Sequence, residues 1–210
     1  MDELGRPANV LHRLHGTMGG VRRAASRAAQ ARRPTRGADR VRLRMFQRAD
    51  LARVIAWRRD EELRRGALWS DAPFGIREAQ RWLRAVSDGL DATRLTFAVE
   101  LRVSGRLVGL TNLTRIDRRS RTAYFGLVIG EKDCWGKGIA HEALQLMLGR
   151  AARVGLRKIL LEVAADNPRA IALYQRAGFH LEGVLRRQLP RGRAFVDVLI
   201  MAVFLAVKTR

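Results

Sequence analysis

The stretch Leu127–Ala140 reads LVIGEKDCWGKGIA, and its pattern passes from a strand through a glycine-bearing loop to a helix. The apolar residues before Gly130 predict a buried strand, and a helix is predicted from about Gly138. The first backbone N–H groups of such a helix lack intrahelical partners and lie at the positive end of its dipole. Gly136 and Gly138 allow close approach of a phosphate, and Lys137 adds a charge at the rim. The pattern favours an anion-binding loop, most naturally for a pyrophosphate; the alternative is a tight turn without a ligand.

A second informative stretch follows later in the chain. Asn167 has the side chain of a helix N-cap, Pro168 suits a first helical turn, and Gly178 suits a helix C-terminus. Tyr174 lies within this predicted helix. Helix capping alone accounts for the terminal residues, but it does not account for the occurrence of both stretches in one chain.

The two stretches in combination resemble the GNAT N-acetyltransferase superfamily. Its pyrophosphate loop has the pattern Arg/Gln-x-x-Gly-x-Gly/Ala, matched here by Trp135–Ala140. Its later segment reads Asn-x-x-Ala-x-x-x-Tyr-x-x-x-Gly-Phe, matched by Asn167–Phe179. The resemblance extends from Val41 to about Lys208 and favours the branch with ribosomal-protein, spermidine and amino-sugar acetyltransferases. Trp135 departs from the usual Arg or Gln, but we expect phosphate binding to survive because backbone N–H groups supply most phosphate contacts in this family.

The resemblance implies that acetyl-CoA is the co-substrate, lying between the strand that ends at Ile129 and the strand that ends at Ala164. It implies a pyrophosphate on the glycine loop and a CoA-arm contact from Asn167. Tyr174 matches the family's general acid, which protonates the departing CoA thiolate; a core aromatic is its alternative role. The donor-binding residues implied in this way are Val128, Ile129, Trp135, Gly136, Lys137, Gly138, Ile139, Ala140 and Asn167.

The group that deprotonates the acceptor amine has no motif of its own. Glu100 near a strand end, His141 in the first turn of the loop helix, and Tyr124 are candidates of suitable chemistry. Each is equally compatible with a surface or structural role.

Hydrophobic periodicity predicts a mixed α/β (α+β) domain, with a mostly antiparallel central sheet of six to seven strands flanked by about four helices. Predicted strands cover residues 41–46, 95–101, 107–114, 123–129, 158–164, 181–189 and 195–205. Predicted helices cover residues 50–59, 76–90, 138–154 and 168–177, with a loop at 66–75 and a hairpin turn at 190–193. We expect residues 1–40 to form a flexible basic arm and residues 41–210 to form the GNAT domain.

The charge balance is strongly basic, with 41 basic and 20 acidic residues and a formal net charge of +21. Such a field attracts phosphates of nucleic acid or the ribosome, although the bias to arginine is also typical of a GC-rich genome. Cys134 is the only cysteine and favours a reducing, cytoplasmic location, and the four scattered histidines give no metal-ligand spacing. The longest apolar run, Val198–Val207, is shorter than the roughly 20 residues that cross a bilayer.

We therefore expect an acetyl-CoA-dependent N-acetyltransferase that acts on a primary amine by direct attack in a ternary complex. Residues 41–210 hold 32 basic and 17 acidic residues, so a polycation such as spermidine meets an unfavourable long-range field. This favours an amino sugar, a nucleotide-linked amino sugar or a protein N-terminus as acceptor. The alternative is a non-catalytic CoA- or RNA/ribosome-binding module with the same fold. The resemblance leaves room for a homodimer, although no sequence feature requires one.

Overall fold

The computed structural model describes residues 40–69, 72–87 and 92–206 of the chain. Contacts divide the chain into two units, residues 1–36 and 37–210, and every described residue lies in the second. The predicted basic arm, apart from Arg40, lies outside the described residues.

In the part of the chain that the structure describes, seven strands form one sheet in the order β1-β2-β3-β4-β5-β7-β6. Every neighbouring pair is antiparallel except β4 and β5, which are parallel. The predicted mixed, mostly antiparallel sheet is thereby confirmed. The strands are β1 (Val41–Arg44), β2 (Leu95–Leu101), β3 (Leu107–Asp117), β4 (Thr122–Ile129), β5 (Lys158–Ala164), β6 (His180–Arg191) and β7 (Ala194–Phe204).

Five α-helices accompany the sheet in the described part of the chain, one more than the sequence pattern indicates. They are α1 (Leu51–Arg59), α2 (Glu61–Ala67), α3 (Ile76–Ser87), α4 (Ile139–Arg153) and α5 (Pro168–Arg176). The additional helix is α2, which begins because the Asp60 side chain accepts a hydrogen bond from the Leu63 N–H at 3.0 Å. None of the helices within the described ranges is long and apolar enough to cross a membrane.

The sheet buries apolar side chains on both faces, as alternation along β4 illustrates. Phe125 packs with Leu144 and Met147 of α4, whereas Val128 belongs to a separate cluster with Trp57 of α1. Because successive strand residues point to opposite faces, the sheet is covered by α4 and α5 on one side and by α1 to α3 on the other.

The hairpin between β6 and β7 is tighter than the predicted turn at residues 190–193. Pro190 is part of β6 and pairs with Phe195, so only Gly192 and Arg193 connect the two strands. Gly192 has a φ of 61°, which a two-residue hairpin turn requires. Pro190 is tolerated within a strand because β6 is at the sheet edge, where one side of the strand needs no ladder partner.

Candidate active site

The two central strands separate partway along their length and leave a gap between them. β4 and β5 pair only through Thr122–Tyr124 and Lys158–Leu160. Beyond these pairs, β4 continues to Ile129 and β5 continues to Ala164 without further pairing between them. Backbone groups on the facing sides of the two strands are therefore available to an extended ligand.

The register of β4 determines which of its residues face this gap. The Gly130 N–H donates to the Val108 carbonyl of β3 at 2.9 Å, and pairing to one neighbour alternates along an antiparallel strand. The backbone of Val128 accordingly faces β3, and the backbone groups of Leu127 and Ile129 face the gap. Of the two strand residues expected at the donor, Ile129 presents its backbone to the gap, whereas Val128 does not. Leu127 also faces the gap and is absent from the expected donor-binding residues, although the alternation of backbone groups along a strand indicates it.

The glycine loop ends directly in α4. Gly136 and Gly138 have φ values of 73° and 78°, in the left-handed region that favours glycine. α4 begins at Ile139 after Gly138, and no side chain of the described residues caps its first N–H groups. The predicted loop therefore has the geometry of an anion cradle, with free N–H donors at the positive end of a fifteen-residue helix.

Trp135 connects the glycine loop to both sides of the gap. Its indole Nε1–H donates to the Ile129 carbonyl at 2.7 Å. On the other side, the Arg169 guanidinium of α5 lies 4.7 Å from the centre of the Trp135 ring. A cation is thus present beside the loop although the loop itself opens with tryptophan, and Arg169 is a contact that the sequence pattern alone did not indicate.

Asn167 and α5 follow β5 directly. The Asn167 Oδ1 accepts a hydrogen bond from the Ala170 N–H at 3.1 Å, which caps the helix as expected. Its amide nitrogen is within 3.7 Å of the position that a Cβ at Gly66 of α2 would take. Asn167 therefore lies where α5, β5 and the end of α2 meet.

Tyr174 of α5 is buried against two aromatic rings. Its ring centre is 6.3 Å from that of Phe125 of β4, edge to face, and 5.7 Å from that of Phe179. Burial raises the pKa of Tyr174 to about 12. The phenol is therefore protonated at neutral pH and able to donate a proton, and it makes no hydrogen bond within the described part of the chain.

A cleft of about 260 Å³ lies beside the gap, on the side of α2. Leu127 and Val128 of β4 belong to its lining, so it reaches the strand that faces the gap. Its polar lining residues are Asn112, Thr114, Arg115, Tyr124 and Glu162, and its apolar lining includes Ala67 and Trp69. The Glu162 carboxylate is 3.6 Å from the Arg115 guanidinium, which also covers the Tyr124 ring at 4.6 Å.

The three candidate bases have different surroundings. Tyr124 lines the cleft, whereas His141 is exposed on α4. Glu100 is buried and bound by Arg42 and Arg44; burial opposes ionisation, but these hydrogen bonds lower the pKa of Glu100. It is therefore held as a structural carboxylate. Glu162, which sequence reasoning missed, is the carboxylate that lines the cleft among the described residues, and strand alternation beside Leu161 and Val163 would have indicated it.

Side chains from α1 and α2 hold the segment between β4 and the glycine loop. Trp57 donates to Glu131 at 2.9 Å. Lys132 binds Asp60 and Glu62 at 2.9 and 2.8 Å, and these carboxylates raise the pKa of Lys132. The segment that leads from β4 to the glycine loop is therefore attached to α1 and to the start of α2 by a buried indole and a cluster of ion pairs.

Metal ligation finds no support in residues 40–69, 72–87 and 92–206, where no three His, Cys, Asp or Glu side chains are grouped as metal ligands.

Comparison with known proteins agrees with this geometry. Residues 40–180 match the family model described as an acetyltransferase (GNAT) domain. The chain is 29% identical over 170 residues to the spermidine N(1)-acetyltransferase of Escherichia coli (strain K12), covering 80% of this chain and 87% of that protein. It is 37% identical over 90 residues to the N-alpha-acetyltransferase RimI of Mycobacterium tuberculosis, covering 42% of this chain and 55% of that protein.

Solved structures extend the likeness to three dimensions. The crystal structure of the Vibrio cholerae spermidine N-acetyltransferase in complex with CoA and spermine superposes with a TM-score of 0.72 and 26% identity. The match covers 81% of this chain and 98% of that chain. On the family match, the fold and the arrangement of loop, gap and buried tyrosine, the chain belongs to the GNAT acetyltransferase family and is an N-acetyltransferase with acetyl-CoA as co-substrate.

Proposed function

We propose that acetyl-CoA lies in the gap between β4 and β5, with its pyrophosphate on the glycine loop of Trp135–Ala140. The separation of the two strands after Tyr124 and Leu160 carries this proposal. The Leu127 backbone groups and the Ile129 N–H are directed to a chain lying in the gap, since the Ile129 carbonyl already accepts from the Trp135 indole. The left-handed glycines allow close approach of phosphate. Asn167 then contacts the CoA arm from the β5 side.

The acceptor is proposed to enter the neighbouring cleft as a primary amine. Its neutral nitrogen attacks the thioester carbonyl carbon and forms the C–N bond of the amide. The C–S bond breaks with its electron pair on sulfur, and the proton of Tyr174 passes to the departing thiolate. The proton that the nitrogen loses as the amide forms returns to the Tyr174 oxygen, directly or through water, and restores the phenol. Because burial raises the pKa of Tyr174, the phenol carries its proton at neutral pH and is present as the acid form.

Glu162 is proposed to take the proton that the ammonium form of the acceptor must lose. Its carboxylate lies in the cleft on β5, and it is the acidic residue among the cleft-lining residues of the described structure. A carboxylate next to an incoming ammonium both binds the cation and accepts its proton, directly or through one water. Asn112 and Tyr124 supply further hydrogen-bonding groups in the same cleft.

We favour a polyamine-type acceptor. This agrees with the names of the relatives that match across most of the chain. The cleft also adjoins α2, whose far end carries Asp60, Glu61 and Glu62 about 10 Å away at 1.5 Å of rise per residue. A polyamine with its reacting nitrogen at Glu162 has the length to place a second ammonium near those carboxylates, where it would compete with Lys132 for Asp60 and Glu62. At short range these carboxylates attract the polyamine, although the net charge of the chain repels a polycation at long range.

A phosphate-bearing amine, such as a nucleotide-linked amino sugar, is the second candidate acceptor. The Arg115 guanidinium at the cleft favours it, because arginine binds phosphate through paired N–H donors. A protein N-terminus or a simple amino sugar carries no phosphate for the Arg115 guanidinium to bind, so this residue does not favour either of them.

The test is release of free CoA thiol from acetyl-CoA in the presence of polyamines, nucleotide-linked amino sugars, amino sugars and N-terminal peptides. Turnover that is fastest with polyamines supports the proposal, and faster turnover with nucleotide-linked amino sugars replaces it by the second candidate. No turnover with any class, together with tight acetyl-CoA binding, would overturn both candidates and place the acceptor outside these four classes. Self-association and ribosome binding stay predictions, to be checked by light scattering and by cosedimentation at increasing salt.

A further inference from the structure

Arg40 directly precedes β1 and lies against the glycine loop. Its Nη1 donates to the Lys137 carbonyl at 2.5 Å, and its Nε donates to the Glu142 carboxylate at 3.1 Å. Its Nη2 is 3.0 Å from the position that a Cβ at Gly138 would take. The guanidinium is therefore packed directly against the Lys137–Gly138 turn.

This contact fixes the direction of a loop N–H group. The carbonyl of Lys137 and the N–H of Gly138 belong to one trans peptide and point in opposite directions. Because Arg40 binds the carbonyl, the Gly138 N–H is directed away from Arg40. Gly138 itself has a φ of 78° and can adopt other conformations, so the turn benefits from an external contact.

Glu142 holds the guanidinium in this orientation. It lies in the first turn of α4, where one carboxylate oxygen accepts from Arg40 and the other accepts from the Val41 N–H at 3.0 Å. The side chains of Arg40 and Glu142 are 48% and 19% exposed, and an ion pair so open to solvent contributes little to folding stability. Its clearest consequence is geometric, since it joins the start of β1 to the start of the loop helix.

We infer that Arg40, oriented by Glu142, is a positioning residue for the donor, which holds the Gly138 N–H toward the pyrophosphate. The inference rests on the proposed function above, in which the pyrophosphate lies on this loop. It predicts that loss of Arg40 weakens binding of the nucleotide half of the donor and leaves the binding of the pantetheine half unchanged.

The experiment compares Arg40→Ala with the wild type using two donors, acetyl-CoA and S-acetylpantetheine, which carries the same thioester without the nucleotide diphosphate. Dissociation constants from calorimetry avoid any dependence on the acceptor. We expect the Kd for acetyl-CoA to rise on the order of tenfold, the effect of weakening one hydrogen bond, with no change for S-acetylpantetheine. Arg153→Ala is the matched control, because it removes the same charge from an exposed position at the opposite end of α4.

Two further variants separate orientation from charge. Arg40→Lys keeps the positive charge but replaces the planar guanidinium, whose Nε and Nη1 reach the two acceptors from separate atoms, with a single ammonium, so it is expected to behave like Arg40→Ala. Glu142→Gln keeps an acceptor for Val41 and loses the ion pair, and we expect a smaller rise in the Kd for acetyl-CoA.

Four results would overturn the inference. Wild-type affinity in Arg40→Lys would mean that charge alone matters, and equal losses for both donors would mean a general structural role. An unchanged Kd for acetyl-CoA in Arg40→Ala would remove Arg40 from donor binding while leaving the loop assignment intact. A wild type that binds both donors equally would instead refute the pyrophosphate assignment of the loop and the inference with it.

Discussion

The phenol of Tyr174 is buried, protonated and in contact with Phe125 of the strand that borders the gap. Tyr174→Phe removes only the hydroxyl, so we expect kcat to fall on the order of 100-fold, the effect of losing a general acid. The Kd for acetyl-CoA should stay within about twofold of the wild-type value, because the hydroxyl acts only in the transition state. Steady-state kinetics with calorimetry checks both values, and an unchanged kcat would assign Tyr174 to the core alone.

The burial of Tyr174 also determines how the free energy of unfolding changes with pH in the alkaline range. An ordinary tyrosine ionises near pH 10, and burial raises the pKa of Tyr174 to about 12. Between these values the unfolded chain loses the proton first, so the contribution of Tyr174 to the free energy of unfolding falls as pH rises from 10 to 12. Below pH 10 the folded and unfolded chains both keep this proton, so Tyr174 adds no pH dependence to the free energy of unfolding. Denaturation at several pH values should show that Tyr174→Phe reduces this alkaline loss of stability.

Glu162 can be tested against a carboxylate of the same type elsewhere in the sheet. Glu162→Gln keeps the shape of the side chain but cannot accept the amine proton, so we expect kcat/KM for the acceptor to fall on the order of 100-fold. Glu182→Gln is the control, since Glu182 lies on β6, accepts from Lys158 of β5 and does not line the cleft. Equal effects of the two substitutions in an acceptor titration would remove the catalytic role from Glu162.

At the scale of elements, α1 is fitted against the end of β4 through one glycine. A Cβ at Gly130 would lie 2.2 Å from the buried Trp57 ring, whose Nε1–H is also bound to Glu131. We expect Gly130→Ala to lower the free energy of unfolding by about 1–3 kcal/mol, because the indole must shift.

Gly149 provides the matched substitution for this prediction. It lies within α4, and a Cβ there would meet nothing within 4 Å. Gly149→Ala is therefore expected to raise the free energy of unfolding by about 0.5–1 kcal/mol through helix propensity. Urea denaturation measures both variants, and a stable Gly130→Ala variant would show that α1 is not held as described.

The elements that sequence patterns predict well are those whose signal is local. The loop from Trp135 and the cap at Asn167 carry their own glycine and N-cap residues, and the structure has both where they were expected. α2 was missed because it is only seven residues long and buries a single residue, Leu63, so it has no apolar periodicity. The Arg40–Glu142 pair joins residues 102 positions apart, and no local pattern reports such a contact.

At the scale of the whole molecule, the net charge of +21 should act differently on the two substrates. Acetyl-CoA carries several phosphate charges and is attracted, so we expect its KM to rise with ionic strength as screening grows. A polyamine meets long-range repulsion and short-range attraction, so its KM should change less. Kinetics between low and high salt at constant pH checks this, and parallel increases for both substrates would contradict it.

The short parallel pairing between β4 and β5 has a further consequence for the motion of the sheet. Only three residue pairs join the two halves of the sheet there, so the halves are expected to pivot about Tyr124 and Leu160 when the gap is empty. A donor chain in the gap would act as a missing strand and damp that pivoting. Amide protons of Leu127 and Ile129 should then exchange with solvent quickly in the free enzyme and slowly in the complex, which makes hydrogen exchange a direct gauge of gap occupancy.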